Sequence, residues 1–442
     1  MKKSFLRILS LVLAMAAVFS FVSCKNTPPY GSIPEIPDIE NPEKYADFEL
    51  SREKLEYALS EALKKIDEKM MPTFVYDNEK GGYKYPAHSS VDNVYGTVYN
   101  DNGWNCGFWT GILWHAYQMT VETDPERAEA YMELALKQMP DYYTRIVEKL
   151  GVDHHDMGFV YSLSCVAAWK IDRNETAREA AILAADQLLT RYREKGEFIQ
   201  AWGSMDKEDN YRLIVDCLMN IPLLFWATEE TGDQKYREVA LKHYATTMEV
   251  AFREDASAYH TYYFDPKTGE PTKGVTAQGV SNDSAWARGQ AWAMYGVLLT
   301  YSYEENDDAL KAFKATTNYY LNHLPSDYVA YWDLSFNDSN GANEPRDSSS
   351  AAIALCAMLE GIKQMDENDP LRATYVNACK RIMNSLIDNY MATTIPDANG
   401  LLLHATYSKP GNNGVDEMNI WGDYFFMEAL HRMLDPDWAL YW

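Results

Sequence analysis

Two aspartates stand where a carboxylate could do chemistry. Asp156 lies in "GVDHHDMGFVYSLS" (151–164), with His154 and His155 directly before it and an apolar, helix-like run directly after. Asp216 lies in "YRLIVDCLMNIPLLFWA" (211–227), where most neighbours are apolar. An ionised carboxylate in so apolar a setting is costly unless it is paired. Burial also raises its pKa toward the range that a general acid needs near neutrality. Aspartate is equally a preferred helix N-cap, accepting a bond from the N2 or N3 amide. A cap needs no histidine pair, so Asp156 and Asp216 both stand as candidates for acid–base work, with capping or structural burial as the alternative.

A cation and several aromatics accompany them. Arg288 sits in the apolar run "NDSAWARGQAWAMYG", either ion-paired to a neighbouring helix or placed at a pocket wall, with Trp292 one turn further on the same face. Trp109, Trp169, Trp226 and Trp286 recur at intervals of 60, 57 and 60 residues and read as repeat core. Trp104 and Trp202 fall outside that rhythm and suit stacking platforms. His260 stands in a polar, Tyr-rich loop, which is not the setting of a packed core histidine. No GxSxG, P-loop, GxGxxG or HExxH occurs, so the common nucleophile, phosphate and zinc chemistries lack support. Past residue 24 the cysteines are Cys106, Cys165, Cys217, Cys356 and Cys379, widely spaced in apolar runs. They read as buried thiols rather than a disulfide or metal framework, and neither a metal nor a cofactor is expected. Two carboxylates, aromatic faces and one cation suit glycosidic chemistry on an acidic sugar.

These side chains must be positioned by something, and the chain shows a repeat. Six strongly apolar helical stretches each follow a polar opening that contains an aspartate: Asp101, Asp156, Asp216, Asp283, Asp347 and Asp423. Their spacings are 55, 60, 67, 64 and 76 residues. Each apolar stretch is preceded by a one-faced, charged helix such as "SREKLEYALSEALKKIDEKM". All-round apolar helices must be buried and one-faced helices belong outside, so the alternation predicts an all-α fold. That fold is an (α/α)6 toroid of six inner and six outer helices in one domain, residues 45–442, with an open solenoid as the rival. Parallel inner helices would bring six N-termini, and their positive dipole ends, to one pocket. "TFVYDNEKGGYKYPA" and "YHTYYFDPKTGEPTKG" read as loops or small hairpins above the ring.

Composition sets the outer limits. The chain has 442 residues and a formal charge of −25, which argues against nucleic-acid binding. Aromatics make up 13% of it, with 12 Trp and 32 Tyr, enough to supply both a core and sugar-binding faces. Residues 1–24 carry Lys2, Lys3 and Arg7, then an apolar stretch ending in "FVSC". This predicts a lipoprotein-type signal peptide with Cys24 as the lipid anchor, hence an exported protein on the periplasmic or cell-surface side of a membrane. Residues 25–44 are Pro-rich and predict an extended tether.

Five motifs in order, "HHDMGF", "VDCLMNIPLLFWA", "SAWARGQAW", "RDSSSAAIA" and "GVDEMNIWGDYFFMEAL", resemble the unsaturated glucuronyl hydrolases, glycoside hydrolase family 88. The resemblance runs from about Trp104 to the C-terminus and implies the same toroid. It implies substrates made by polysaccharide lyases, which leave a C4=C5 double bond on the non-reducing uronic acid. One carboxyl protonates C4, water adds at C5, and the hemiketal collapses to release the rest of the oligosaccharide. The resemblance places the acid/base on Asp216 and its partner on Asp156. It sets His260, Gln278, Arg288 and Trp292 around the unsaturated sugar, with Trp202 as a stacking face; His155, beside Asp156, and Trp104, near the expected mouth, join them as substrate-binding candidates. Arg288 would be the cation for the uronate, unless helix-mouth amides hold it. Ser408 and Lys409, in the loop before the last inner helix, suggest a sulfate contact on the next sugar. Two other readings are an unsaturated rhamnogalacturonyl hydrolase with the same chemistry and a non-catalytic oligosaccharide-binding lipoprotein.

Overall fold

The computed structural model describes residues 33–101 and 103–442. The expected signal peptide with Cys24 and the first part of the tether lie outside the described residues. Six helical segments form an inner ring. They are Cys106–Thr120, then 157–172 with a π-helical turn at Ser162–Val166, and Pro222–Thr231 preceded by the 3-10 turn Val215–Met219. Ala287–Tyr301, Ser348–Gln364 and Ile420–Leu434 complete it. Consecutive inner segments pack side by side, and Ile420–Leu434 packs back onto Cys106–Thr120, which closes the ring. Arg52–Lys65, Pro125–Lys137 with Met139–Val147, Glu175–Leu189, Gln234–Val250, Asp307–Asn322 and Arg372–Ser385 wrap around it.

The two rings differ as the sequence pattern requires. Every residue from Ala287 to Thr300 is buried. Glu175–Leu189 instead buries one stripe, Ala177, Ala180, Ala181, Ala184, Ala185 and Leu188. Outer helices start on side-chain caps: Ser51, Asp124, Asn174, Asp233 and Asn306 each accept a backbone N–H of their first turn. Adjacent inner helices press close where a side chain is absent. A Cβ on Gly107 would sit 2.1 Å from the Phe159 carbonyl oxygen on the next inner helix.

The inner openings depart from the simple capping pattern. Asp347 does cap its helix, accepting from the Ser350 amide. Asp101 precedes a helix whose N-cap is Asn105, and Asp283 lies in the turn before Trp286. Asp423 lies inside the first turn of its helix, where its carboxylate accepts bonds from the Leu402 amide (2.8 Å) and the Tyr95 hydroxyl (3.0 Å). The third apolar stretch is not one helix. Pro222 begins the α-helix at its first position, where a missing N–H costs nothing, so the residues before it form a strand and a 3-10 turn.

Small antiparallel sheets sit above the ring. Arg212–Ile214, Thr261–Phe264 and Pro271–Val275 form one, with Ile214 paired to Thr261. Tyr76–Asp77, Gly82–Pro86 and Thr97–Tyr99 form another. Ala405–Ser408 and Asn413–Glu417 make a hairpin where a loop is expected from sequence. The tether expectation also needs adjusting. Residues 33–44 hold to the outer helix Asp307–Asn322, with Asn318 donating to the Pro37 carbonyl (2.7 Å) and Asn322 to the Asp38 carbonyl (2.9 Å). The five cysteines from Cys106 onward are buried free thiols. Among the described residues no helix is long and apolar enough to cross a membrane.

Candidate active site

A pocket of about 300 Å³ opens on the face where the inner helices begin. Nine of the residues singled out from sequence line it: Asp156, Asp216, Trp104, His155, Trp202, His260, Gln278, Arg288 and Trp292. Ser408 and Lys409 do not. They lie at the turn end of the 405–417 hairpin, and Tyr407 is the residue of that strand that reaches the lining.

Asp216 is brought to the pocket by strand pairing rather than by a helix. The strand Arg212–Ile214 runs beside Thr261–Phe264, and the Val215 amide donates to the His260 carbonyl at 3.0 Å. That pairing sets Asp216 and His260 side by side at the strand ends. Asn220, fully buried, then ties the two acids together. Its Nδ2 donates to the Asp216 carbonyl (3.0 Å), and its Oδ1 accepts the Phe159 amide (2.8 Å) in the first turn after Asp156. Gly158 makes this approach possible, because a Cβ there would lie 2.6 Å from the Asn220 Cα. Asp156 occupies the N-cap position of its helix, but its side chain makes no capping bond and is left for the pocket.

The two carboxyls are held in opposite states. Burial, reinforced by the charge of Asp156 and opposed by Arg288, pushes the Asp216 carboxyl up to about 7. Its Oδ1 has no hydrogen-bond partner among the described residues. Burial also acts to raise Asp156, but the His155 and His154 imidazoles and the Trp202 indole N–H outweigh it and hold the carboxyl below its ordinary value. His155 Nε2 lies 3.3 Å from Asp156 Oδ1, and burial pushes this imidazole down to about 4, so it is neutral near pH 7. One carboxyl is thus protonatable near neutrality while its neighbour stays ionised.

The remaining lining supplies donors and faces. His260 Nδ1 accepts the Ala277 amide (3.0 Å), so the ring proton sits on Nε2. Burial, with help from Arg288, pushes this imidazole down to about 3 and keeps it a neutral donor. Arg288 combines both of its sequence readings. It pairs with Asp347 on the next inner helix (2.9 Å) and also lines the pocket. Its other bonds go to the Thr406 carbonyl (2.5 Å), the Tyr407 carbonyl (2.6 Å) and Gln278 Oε1 (3.0 Å). With Oε1 so engaged, Gln278 keeps its amide nitrogen as the donor for a bound group. Trp202 is 37% exposed at the rim. Trp292 is almost wholly buried on the floor, against Phe159 (5.1 Å) and Phe425 (5.4 Å).

Sequence reasoning passed over Trp286, Tyr407, Ile214, Ala277 and Asn220. Trp286 follows the core rhythm yet lines the pocket as an N-cap residue, with the Arg288 guanidinium 4.3 Å from its ring centre. Its place just ahead of a helix was the available signal. Asn220 and the two aliphatic residues carried none.

A closed double ring of helices whose pocket pairs a protonatable with an ionised carboxyl between aromatic walls is the frame of a glycoside hydrolase. The chain belongs to Glycosyl Hydrolase Family 88, whose profile matches residues 78–435. It is 43% identical over 408 residues to the unsaturated chondroitin disaccharide hydrolase of Streptococcus pneumoniae, covering 92% of this chain and 98% of that one. The crystal structure of the unsaturated glucuronyl hydrolase from Streptococcus agalactiae superposes with a TM-score of 0.86 at 43% identity, covering 93% of this chain and 100% of that one. A variant of that enzyme complexed with dGlcA-GalNAc6S gives a TM-score of 0.80 at 41% identity, covering 93% and 99%.

Proposed function

We propose that this enzyme removes the 4,5-unsaturated uronic acid from the non-reducing end of lyase-generated oligosaccharides, with Asp216 as general acid and base and Asp156 as its ionised partner. The observation that carries this reading is the Asp216 carboxyl, which lines the pocket and is raised to about 7, with its buried Oδ1 left without a hydrogen-bond partner among the described residues. In its protonated form it donates to C4 of the C4=C5 vinyl ether, and positive charge develops at C5 and the ring oxygen. The carboxylate left behind takes a proton from water as that water adds at C5, so Asp216 returns to its starting state. The hemiketal then opens and the rest of the oligosaccharide leaves. The nearby negative charge of Asp156 favours the cationic transition state and keeps the Asp216 proton in place until it is needed. His260 Nε2–H and the Gln278 amide are the neutral donors for the uronate. Arg288, with most of its donors already engaged by the protein, serves them as a fixed positive field.

The relative complexed with dGlcA-GalNAc6S supports a glycosaminoglycan-derived disaccharide as substrate. The test follows the double bond itself: its ultraviolet absorbance falls when wild-type enzyme is added to a chondroitin-lyase disaccharide. Asp216→Asn should stop that fall, and retained turnover would remove Asp216 from the role. Export with a lipid anchor on Cys24 rests on the basic, apolar and "FVSC" succession of residues 1–24. Radiolabelled palmitate should enter the wild-type chain and not Cys24→Ser.

A further inference from the structure

Arg191 is fully buried, lies two residues beyond the outer helix Glu175–Leu189, and does not line the pocket. All five of its N–H donors are engaged, and every acceptor lies on one of two loops. Nη1 donates to the carbonyl of Asp153 (3.0 Å) and to its carboxylate. Nε donates to the Gln200 carbonyl (2.9 Å), and Nη2 to the carbonyls of Ala201 and Gly203, the latter at 2.9 Å. Asp153 is three residues before Asp156. Ala201 and Gly203 are the residues on either side of Trp202.

The same two loops meet again on the pocket side, through much lighter contacts. The His154 ring stacks on Trp202 with centres 4.3 Å apart and planes 5° from parallel. The Trp202 indole N–H also helps hold the Asp156 carboxylate ionised. Neither contact fixes the loops by itself, because a stack slides and one N–H pivots. A planar, five-donor fork behind them does fix them, since its bond directions are rigid. A buried cation is also expensive unless paired, and among the described residues the only carboxylate bonded to Arg191 is that of Asp153, whose side chain is 68% exposed.

We propose that Arg191 is a positioning residue for the reaction: it sets the placement of Asp156 against Trp202, and so the geometry in which the sugar ring lies over the acid pair. The inference rests on the reading that Asp156 and Trp202 serve the bound sugar. A lysine cannot replace the arginine, because three donors on one point cannot reach both loops in these directions.

The experiment measures kcat, KM and thermal midpoint for Arg191→Met, Arg191→Lys and Asp153→Asn on a chondroitin-lyase disaccharide. Each is made in the wild-type chain and in a Trp202→Ala chain. Arg191→Met should lower kcat/KM by about 10²-fold, the scale of a misplacement near 1 Å. Arg191→Lys should recover less than about tenfold of that. In the Trp202→Ala background the loss caused by Arg191→Met should shrink to about threefold, since the placement it enforces no longer has its second member. A folded Arg191→Met enzyme with wild-type kcat/KM, or the same fold loss in both backgrounds, overturns the proposal. If Arg191→Met does not fold, Asp153→Asn loosens the fork from its exposed end. Its smaller loss must then vanish with Trp202→Ala, and a loss that persists counts against the proposal. Asp216→Asn is run alongside. An active Asp216→Asn enzyme removes the parent reading, whereas an inactive one beside additive Arg191 losses removes only this inference.

Discussion

Asp216 and Asp423 make an instructive pair. Both are aspartates at the openings of inner segments, and burial pushes both carboxyls up to about 7. Their surroundings differ. Asp423 is wholly enclosed and accepts the Leu402 amide and the Tyr95 hydroxyl. Asp216 lines the pocket, has a buried oxygen without a partner among the described residues, and has the ionised Asp156 beside it. A raised pKa alone therefore does not mark an acid catalyst. What marks it is a raised carboxyl that lines a pocket and that the fold leaves short of donors.

The sharpest way to break this comparison is to treat both residues alike. Asp216→Asn should lower kcat by about 10³-fold, the upper range of what a positioned general acid contributes. Asp423→Asn should stay within about threefold of wild type, as expected for a residue remote from the reacting atoms. Equal losses in the disaccharide absorbance assay would erase the distinction. Stability should separate them in the opposite sense. Asp423→Ala leaves an enclosed amide and hydroxyl unpaired and should cost about 2–4 kcal/mol in urea unfolding. Asp216→Asn leaves no donor stranded and should cost nothing.

The pH dependence gives finer tests. Asp216 works as an acid only while protonated, so kcat/KM should fall as pH rises through about 7. An alkaline limb that sits well above this would point to another proton donor. Stability carries the same sign. A carboxyl raised from its ordinary 3.8 to about 7 contributes stability that is full below 3.8 and is lost as pH rises through 7. Asp216→Asn removes that loss, so its thermal midpoint should exceed wild type at pH 8, and the gap should close toward pH 5. An unchanged gap across that range would show that the carboxyl is not raised in the folded protein.

Much of this arrangement was legible in the residues because the toroid is built from a local rule repeated six times. All-round apolar stretches became inner helices, one-faced ones became outer helices, and the polar openings met at one pocket. Helical periodicity carries that information within twenty residues or so. It carries none about pairings made across the chain, which is why the small hairpin over 259–275 is legible but the strand Arg212–Ile214 that pairs with it is not. Asp216 looked like a charge inside a helix, whereas Pro222 starts that helix only after the acid has been placed. Asp101 and Asp423 stand before apolar runs, where aspartate is a local capping signal, and Asn105 and a long-range bond to Leu402 override that signal. Trp286 was hidden by its regular spacing, since core and pocket wall lie one residue apart at a helix mouth. Ser408 and Lys409, expected in a loop, stand at the turn end of a hairpin beyond the pocket-lining Tyr407, because the 405–417 pairing is made across a turn that helical periodicity does not report.

Ring closure by Ile420–Leu434 against Cys106–Thr120 also bears on how the molecule is made. The pocket draws on residues from Trp104 to Tyr407, and its floor leans on Phe425 from the last inner helix. Until the sixth inner helix docks, the first and the fifth each carry an apolar flank without its final neighbour. The final suture joins segments some three hundred residues apart, a contact of high sequence separation that forms late and slowly. Until then an unclosed horseshoe exposes its inner wall, so the interval before closure is when aggregation competes with folding.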